Sequence, residues 1–110
     1  MPASCVPSSS SALTHLDLSD NLLNGSMTPG FIATCSSLQH LDISGNNIVG
    51  SIAAELGNMS GLEVLNLSEN LLEGPIPTEI GDLAKLQVLM LGFNKLSGNI
   101  PGELSKCKSL

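Results

Sequence analysis

The sequence predicts an α/β solenoid, a right-handed coil with short parallel β-strands on its concave face and irregular or 3-10 turns on its convex face. Three observations predict it. A pattern that begins at Leu13 begins again at Leu38, Leu62 and Leu86, in steps of 25, 24 and 24 residues. Apolar and polar residues alternate at the start of each unit, as in a half-buried strand. Finally, 42% of the residues are hydrophobic but only 2% are aromatic, which suits many similar layers better than one central core.

The four units, numbered 1 to 4 from these leucines, match in many columns. Each begins LxxLxLxxN, with Ile43 in place of one Leu, and a Gly follows each Asn by four residues. Unit 1 is one residue longer than the others, near residues 28–30. Three further apolar columns come later in the unit: Met27, Ile52, Ile76 and Ile100; Ile32, Leu56, Ile80 and Leu104; and Cys35, Met59, Leu83 and Cys107.

The first element of each unit is a short strand, on which successive side chains point to opposite faces. In unit 1 the inward side chains are Leu16 and Leu18. The outward side chains are His15, Asp17 and Ser19. Strands of successive units are expected to stack about 4.8 Å apart in a parallel sheet.

The next element is a turn at the repeated Asn, whose amide can both donate to and accept from backbone groups that the coil leaves unpaired. Stacked Asn side chains therefore predict a hydrogen-bonded ladder. The repeated Gly predicts a positive φ or a close backbone approach. The pairs Ile76-Pro77 and Ile100-Pro101 predict a twist or a second short strand on the flank.

The starting leucines place the units at residues 13–37, 38–61, 62–85 and 86–109, with a fifth beginning at Leu110. Residues 1–12 are rich in Ser and Pro and are expected to form a loose segment without a recognisable cap. One unit cannot bury its own inward face, so stability is shared between neighbours. Four uncapped units make a marginal stack, which suggests a piece of a longer solenoid.

These units resemble the plant-type leucine-rich repeat, LxxLxLxxNxLxGxIPxxLxxLxx, over residues 13–110. The segments 73–77 (EGPIP) and 97–101 (SGNIP) match its flank motif, whereas Thr28 and Ala53 stand where Pro is usual. The resemblance implies part of the ectodomain of a plant receptor-like kinase or receptor-like protein. It implies a non-catalytic module at the cell surface that binds a protein or peptide ligand, or a co-receptor ectodomain, and needs no cofactor.

Three alternatives stay open from the sequence. They are a free-standing soluble scaffold, a binder that resembles secreted pectinase inhibitors, and a truncated gene product. A kinase or signalling activity is not implied for these 110 residues, because the resemblance covers only the recognition module.

Charge and hydropathy exclude two classes of partner. The formal charge is −6, and residues 1–84 hold nine of the ten acidic residues and no Lys or Arg. An acidic body argues against nucleic acid, which needs a basic surface. No stretch approaches the roughly 18 apolar residues that a membrane span needs, and the N-terminus does not resemble a signal peptide.

The outward strand positions form columns, and nine of their residues are the predicted concave binding surface: His15, Asp17, His40, Asp42, Val64, Asn66, Val88, Met90 and Phe93. The first column is His15, His40, Val64 and Val88, and the second is Asp17, Asp42, Asn66 and Met90. The third is Ser19, Ser44, Ser68 and Gly92, and a flanking column is Asp20, Gly45, Glu69 and Phe93. The surface is therefore acidic and His-bearing at unit 1 and apolar at unit 4.

The paired His and Asp residues of units 1 and 2 admit several interpretations. A solvated polar face is the simplest, and a metal site built from two His and two Asp is the alternative. Stacked Asp17 and Asp42 are expected to raise each other's pKa, which a basic group of a partner would relieve. A catalytic interpretation needs His15 as base, Asp17 to orient it and Ser19 as nucleophile, and the open face offers this set no pocket.

The apolar end of the surface, at Val88, Met90 and Phe93, is a candidate contact patch, since Phe and Met are enriched at interface cores. The alternative is that Phe93 folds back over the turn and packs there. Three Asn-x-Ser sequons, at Asn24, Asn58 and Asn66, are possible glycosylation sites.

The three cysteines do not settle the redox compartment. Cys35 and Cys107 occupy one inward column about 14 Å apart. That separation exceeds the roughly 7 Å between Cα atoms that a disulfide allows. Both are therefore expected to be buried free thiols, and Cys5 has no evident partner in the loose N-terminal segment.

Overall fold

The computed structural model describes residues 13–110, and its secondary structure repeats four times. Each unit contains a strand, a second strand on the flank and a short convex helix. In chain order the elements are β1 (His15–Asp17), β2 (Asn24–Ser26), α1 (Pro29–Thr34), β3 (His40–Asp42), β4 (Asn47–Val49), η1 (Ala54–Asn58), β5 (Val64–Asn66), β6 (Glu73–Pro75), η2 (Thr78–Asp82), β7 (Val88–Met90), β8 (Lys95–Ser97) and η3 (Gly102–Lys106), where η marks a 3-10 helix.

The concave face is one parallel sheet in the order β1-β3-β5-β7. Its register aligns the units without offset, so that His15 lies opposite His40 and Asp17 opposite Asp42. The same register joins β3 to β5 and β5 to β7. The predicted fold class, a right-handed solenoid of parallel strands and convex 3-10 turns, is confirmed.

Second strands lie on the flank, as two parallel pairs, β2 with β4 and β6 with β8. They occur in every unit, whereas the pairs Ile76-Pro77 and Ile100-Pro101 had indicated a strand or twist only in units 3 and 4. The repeated Gly lies in or beside these strands with φ between 76° and 84°. This is the positive φ that the repeat predicted, and it is strained for a residue with a Cβ.

The convex face differs between unit 1 and the rest. Units 2 to 4 have five-residue 3-10 helices, whereas unit 1 has the six-residue helix α1. The hydroxyl of Thr28 caps α1 by accepting a hydrogen bond from the Phe31 backbone N–H at 3.1 Å, and Pro29 occupies the first turn. The extra residue of unit 1 gives the chain room for this α-helical turn. Within residues 13–110, no helix is long and apolar enough to cross a bilayer.

The core is a stack of leucine layers. Leu41, Leu65, Leu38, Leu62 and Leu86 are at most 1% exposed. The outermost units are covered less well, since Leu16 and Leu89 are only half-buried and Ile100 is 74% exposed. Each unit is therefore sealed by its neighbours, as a solenoid requires.

The asparagine ladder is present. Asn46, Asn70 and Asn94 each donate from Nδ2 to two carbonyl oxygens of their own turn and to one carbonyl of the preceding unit. Each side-chain oxygen accepts a backbone N–H of the preceding unit, as Asn70 Oδ1 does from Ile48 at 3.0 Å. The ladder bonds therefore tie neighbouring units together as well as closing each turn.

The cysteines correct one expectation. Cys107 is a buried free thiol, as predicted, and burial together with the nearby Asp82 carboxylate raises its pKa. Cys35 is buried but disulfide-bonded, so the expectation of a free thiol there is wrong. Its partner is not in residues 13–110, because Cys107 is the only other cysteine there; the spacing argument had tested that pair alone. Cys5 lies outside the described residues.

Candidate functional site

The predicted concave surface is brought together on one sheet. Eight of its nine residues lie on β1, β3, β5 and β7, and the ninth, Phe93, lies three residues after β7. The members on β1 and β7 are exposed, and those on β3 and β5 are half-buried: His15, Asp17, Val88 and Met90 in the first group, His40, Asp42, Val64 and Asn66 in the second. The surface is a continuous array, because each strand stacks in register on the next.

The two histidines form a stacked pair. The ring centroids of His15 and His40 are 5.6 Å apart with an interplanar angle of 22°. Nδ1 of His15 is 3.0 Å from the hydroxyl of Thr14. The two rings are therefore stacked across units 1 and 2, on the same face as Asp17 and Asp42.

A second polar ladder lies on the concave face. The hydroxyl and the backbone N–H of Ser19 both donate to Asp17 Oδ1, at 2.6 and 2.9 Å. The pairs Ser44 with Asp42 and Ser68 with Asn66 repeat this arrangement, with hydroxyl distances of 2.6 Å in both. Each serine thus clamps one side-chain oxygen and fixes the rotamer of the residue two positions before it. Unit 4 has no clamp, since Met90 and Gly92 occupy these positions.

The hydrogen bonds of this clamp shift the pKa of Asp17 in the direction opposite to the expected one. The side-chain and backbone hydrogen bonds from Ser19 lower the pKa of Asp17, and the charge of His40 lowers it further. The expectation that the two aspartates raise each other's pKa is therefore wrong for Asp17. Donors aimed at the ionised carboxylate outweigh a like charge across solvent.

We expect Asp17 to titrate below the usual range for aspartate, and Ser19→Ala to raise its pKa by removing the hydroxyl donor. Because the folded pKa lies below that of the unfolded chain, the stabilisation is complete above the unfolded value and is lost as pH falls through the folded value. Carboxyl-carbon NMR of Asp17 against pH measures both midpoints. A midpoint at or above the ordinary value in the unaltered chain would contradict the assignment.

The unit 4 end of the surface is apolar and open. Val88 is 40% exposed, Met90 is 47% exposed and Phe93 is 85% exposed. The alternative in which Phe93 packs back over its turn is therefore wrong. Val88 and Met90 on the strand and Phe93 in the flanking column are three exposed apolar side chains of one unit, and we call them the unit 4 patch.

Phe93 also has an unusual backbone. The flanking column has positive φ in every unit, at Asp20, Gly45, Glu69 and Phe93, with φ between 55° and 67°. A left-handed conformation costs about 1–2 kcal/mol for a residue with a Cβ, and Asp or Asn tolerates it better than a bulky residue. Phe93 thus occupies a strained position without gaining burial.

We expect Phe93→Gly to raise the free energy of unfolding by about 0.5–1 kcal/mol, because relief of the left-handed strain exceeds the entropy cost of glycine. Urea unfolding followed by circular dichroism measures it. The matched control is Glu69→Gly, which has the same backbone conformation with φ of 55° and should gain a similar amount. A loss of about 3 kcal/mol or more, the size for a buried Phe, would contradict the exposed position.

The structure also bears on the catalytic and the metal interpretations of the His and Asp residues. Ser19 donates its hydroxyl proton to Asp17, and His15 contacts Thr14, so the order base–orienter–nucleophile is not assembled. In the part of the chain that the structure describes, no three His, Cys, Asp or Glu side chains come together in a group fit for a metal ion.

The sequons differ in their surroundings. Asn58 is exposed at the end of η1, and Asn24 is exposed on β2. The third, Asn66, is half-buried, and its Oδ1 is held by Ser68, which is itself only 7% exposed. A glycan on Nδ2 of Asn66 would leave this clamp in place, but it would lie beside Asp42 Oδ2, which is 3.5 Å from Nδ2, on the concave face.

Sequence reasoning placed the serine column on the surface but missed its role in orienting the acidic residues. The Asx-x-Ser spacing, Asp17 to Ser19 and its repeats, is the signal that carries this hydrogen bond. The positive φ of the flanking column was also missed; Gly45 among its members is the clue.

Solved structures that are similar to this chain include receptor ectodomains from Arabidopsis thaliana. One is the LRR ectodomain of the membrane receptor kinase GASSHO1/SCHENGEN3 in complex with CASPARIAN STRIP INTEGRITY FACTOR 2, with 39% identity and a TM-score of 0.85 over 89% of this chain and 12% of that one. The receptor kinase HAESA, in complex with the peptide hormone IDA and the co-receptor SERK1, has 39% identity and a TM-score of 0.84 over 87% and 16%. The BIR3–SERK2 complex has 42% identity and a TM-score of 0.79 over 84% and 49%.

The chain therefore spans from about an eighth to half of the length of these structures. No curated protein sequence matches it. The family model for the Leucine Rich Repeat matches four times, at residues 12–35, 37–59, 61–83 and 85–107. With four such matches over most of its length and the stacked architecture described above, the chain belongs to the leucine-rich repeat family.

Proposed function

We propose that this chain is a non-catalytic recognition module of a plant receptor-like ectodomain, and that its concave face binds a protein or peptide ligand. The observation that supports this most directly is the unit 4 patch. Phe93 is 85% exposed and adopts a left-handed backbone conformation, so the fold gains neither burial nor ease of conformation from it. The left-handed φ recurs at this position in every unit, so the exposed aromatic side chain at the position, and not its φ, supports contact with a partner.

The rest of the surface supports the same proposal. The sheet is open and flat, and the serine clamps hold the side chains of Asp17, Asp42 and Asn66 in one orientation before any ligand arrives. Preordered side chains reduce the entropy cost of binding. Similar ectodomains have been solved with a peptide hormone or a co-receptor bound, and these are the two partner classes that we propose for this chain.

A selection from a random peptide library on the full chain tests this function. Ligands that bind the unaltered protein are measured by anisotropy against Phe93→Gly and against Glu79→Gln, a control on the convex helix η2. We expect Phe93→Gly to weaken binding about tenfold or more, as for an interface anchor, and Glu79→Gln to leave it unchanged.

The choice of Phe93→Gly makes the outcome unambiguous, because this variant is expected to be more stable than the original chain. Loss of affinity together with a gain in stability cannot come from misfolding. Ligands that bind both variants as tightly as the original chain would show that the concave face is not the binding surface.

A further inference from the structure

We infer that the ligand segment is an extended peptide with cationic side chains over Asp17 and Asp42 and an apolar side chain, four or five residues along, over the unit 4 patch. This inference rests on the proposed function and specifies its ligand. The occupant follows from the change of character along the sheet, from acidic at units 1 and 2 to apolar at unit 4.

The acidic half of the concave surface, which is its part in units 1 and 2, has no Lys or Arg side chain of its own. Residues 1–84 contain no Lys or Arg, so no such side chain neutralises Asp17 and Asp42 from within units 1 and 2. Among the side chains of units 1 and 2 in the described residues, the two histidines of the same face are the ones that can carry positive charge. Opposite charges in adjacent strands are stabilising, whereas the paired aspartates are like charges placed directly opposite. A cationic ligand supplies the missing complement.

The carboxylates of Asp17 and Asp42 are oriented to accept a cationic group of a ligand. Oδ1 of each aspartate is held by the serine two residues later. Within the described residues Oδ2 of Asp17 receives no hydrogen bond, and Oδ2 of Asp42 has only a long contact of 3.5 Å with Asn66 Nδ2. A guanidinium or ammonium group can therefore approach Oδ2 without displacing a strong internal bond.

Unit 3 shows where the acidic half ends. Asn66 occupies the column of Asp17 and Asp42 and keeps the same clamp, with Ser68 Oγ at 2.6 Å from its Oδ1. Only the charge differs. The chain thus shows that Asn and Asp both fit this clamp, which provides charge variants that keep the serine hydrogen bonds and change only the long contact between Asn66 Nδ2 and Asp42 Oδ2.

The unit 4 patch determines the chemistry of the other end of the ligand, which is an apolar side chain. The side chains of Val88, Met90 and Phe93 are exposed, and Gly92 adds no polar group beside them. Three steps between stacked strands separate Asp17 from Met90, which is about 14 Å. An extended peptide that crosses the strands covers this distance in about four residues, at roughly 3.3 Å per residue.

A second copy of this chain is a poorer occupant of the face. A twofold pairing of concave faces would place the acidic rows of one copy against the unit 4 patch of the other. The carboxylates would then lose water without gaining a partner, which is unfavourable. A nucleic acid is repelled by the same carboxylates.

Fluorescence anisotropy with the full chain and labelled synthetic decapeptides tests the inference. The probe peptide carries two Arg and, four residues later, one Leu; its controls replace both Arg with Glu, or the Leu with Ser. Asp42→Asn should weaken binding of the probe about threefold, and Asn66→Asp should strengthen it about threefold, as for partly exposed charge pairs. Both effects should shrink as salt rises from 0.05 to about 0.5 M, because salt screens exposed charges.

The inference is overturned if the Arg-to-Glu control binds as well as the probe, if the probe does not bind, or if Asp42→Asn and Asn66→Asp do not shift the affinity in opposite directions. These failures are separable from failure of the proposed function. If library ligands are neutral or acidic and still lose affinity in Phe93→Gly, the proposed concave recognition surface stands and the inferred cationic ligand is rejected. If no ligand depends on Phe93, both proposals fail.

Discussion

Replacing Asn70 with Ala should lower the free energy of unfolding by about 2–4 kcal/mol, because a buried backbone N–H left without a partner costs about 1–3 kcal/mol and the other lost hydrogen bonds about 1 kcal/mol more. Asn70 is only 5% exposed and makes four hydrogen bonds to the backbone. Its removal leaves the buried N–H of Ile48 without a partner, whereas the carbonyl of Ile43 keeps its hydrogen bond from Asn46 Nδ2. Chemical denaturation with a circular dichroism readout measures the loss.

The matched control is Asn21→Ala in unit 1. Asn21 has the same position in its turn, but it is exposed and donates only to Leu18 and Ser19 of its own unit. Water can replace those bonds, so the cost should be about 1 kcal/mol. Equal losses in the two variants would show that the ladder closes single turns and does not join the units.

Gly81→Ala should lower the free energy of unfolding by about 1–3 kcal/mol, the usual cost of forcing a carbon into a packed site. A Cβ on Gly81 would lie 2.4 Å from the carbonyl oxygen of Glu103, on the neighbouring convex helix η3. Gly57 has the same relation to Glu79, at 2.5 Å. The convex helices therefore stack so closely that backbone opposes backbone, and a methyl group must push two units apart. The thermal unfolding midpoint reports the change.

Gly102→Ala is the control for that variant, since Gly102 is also in a convex 3-10 helix. A Cβ there would meet nothing within 4 Å. It should be neutral or slightly stabilising, because Ala loses less conformational freedom than Gly on folding. If Gly81→Ala were also neutral, the close packing of η2 on η3 would not be a source of stability.

The candidate surface was predictable in its membership but not in its properties. Period-2 alternation assigns side chains such as His15 and Asp17 to the outer face of a strand, and the repeat then stacks them in columns. The lowered pKa of Asp17 depends on the distance and direction of the Ser19 hydroxyl, and the Asx-x-Ser spacing indicates this hydrogen bond without fixing its geometry. Exposure of Phe93 depends on its left-handed backbone, which spacing alone does not reveal.

The sequence by itself determined the period, the inward leucine columns, the parallel concave strands and the asparagine ladder. These features are local to one unit, and repetition multiplies a local pattern into a stack. Tertiary structure alone decided the fit of Gly81 against Glu103, the α-helical turn of unit 1 and the disulfide at Cys35. The first and the third depend on distances between atoms from different parts of the coil. The second depends on how one extra residue is accommodated. A repeat pattern in the sequence does not specify such distances.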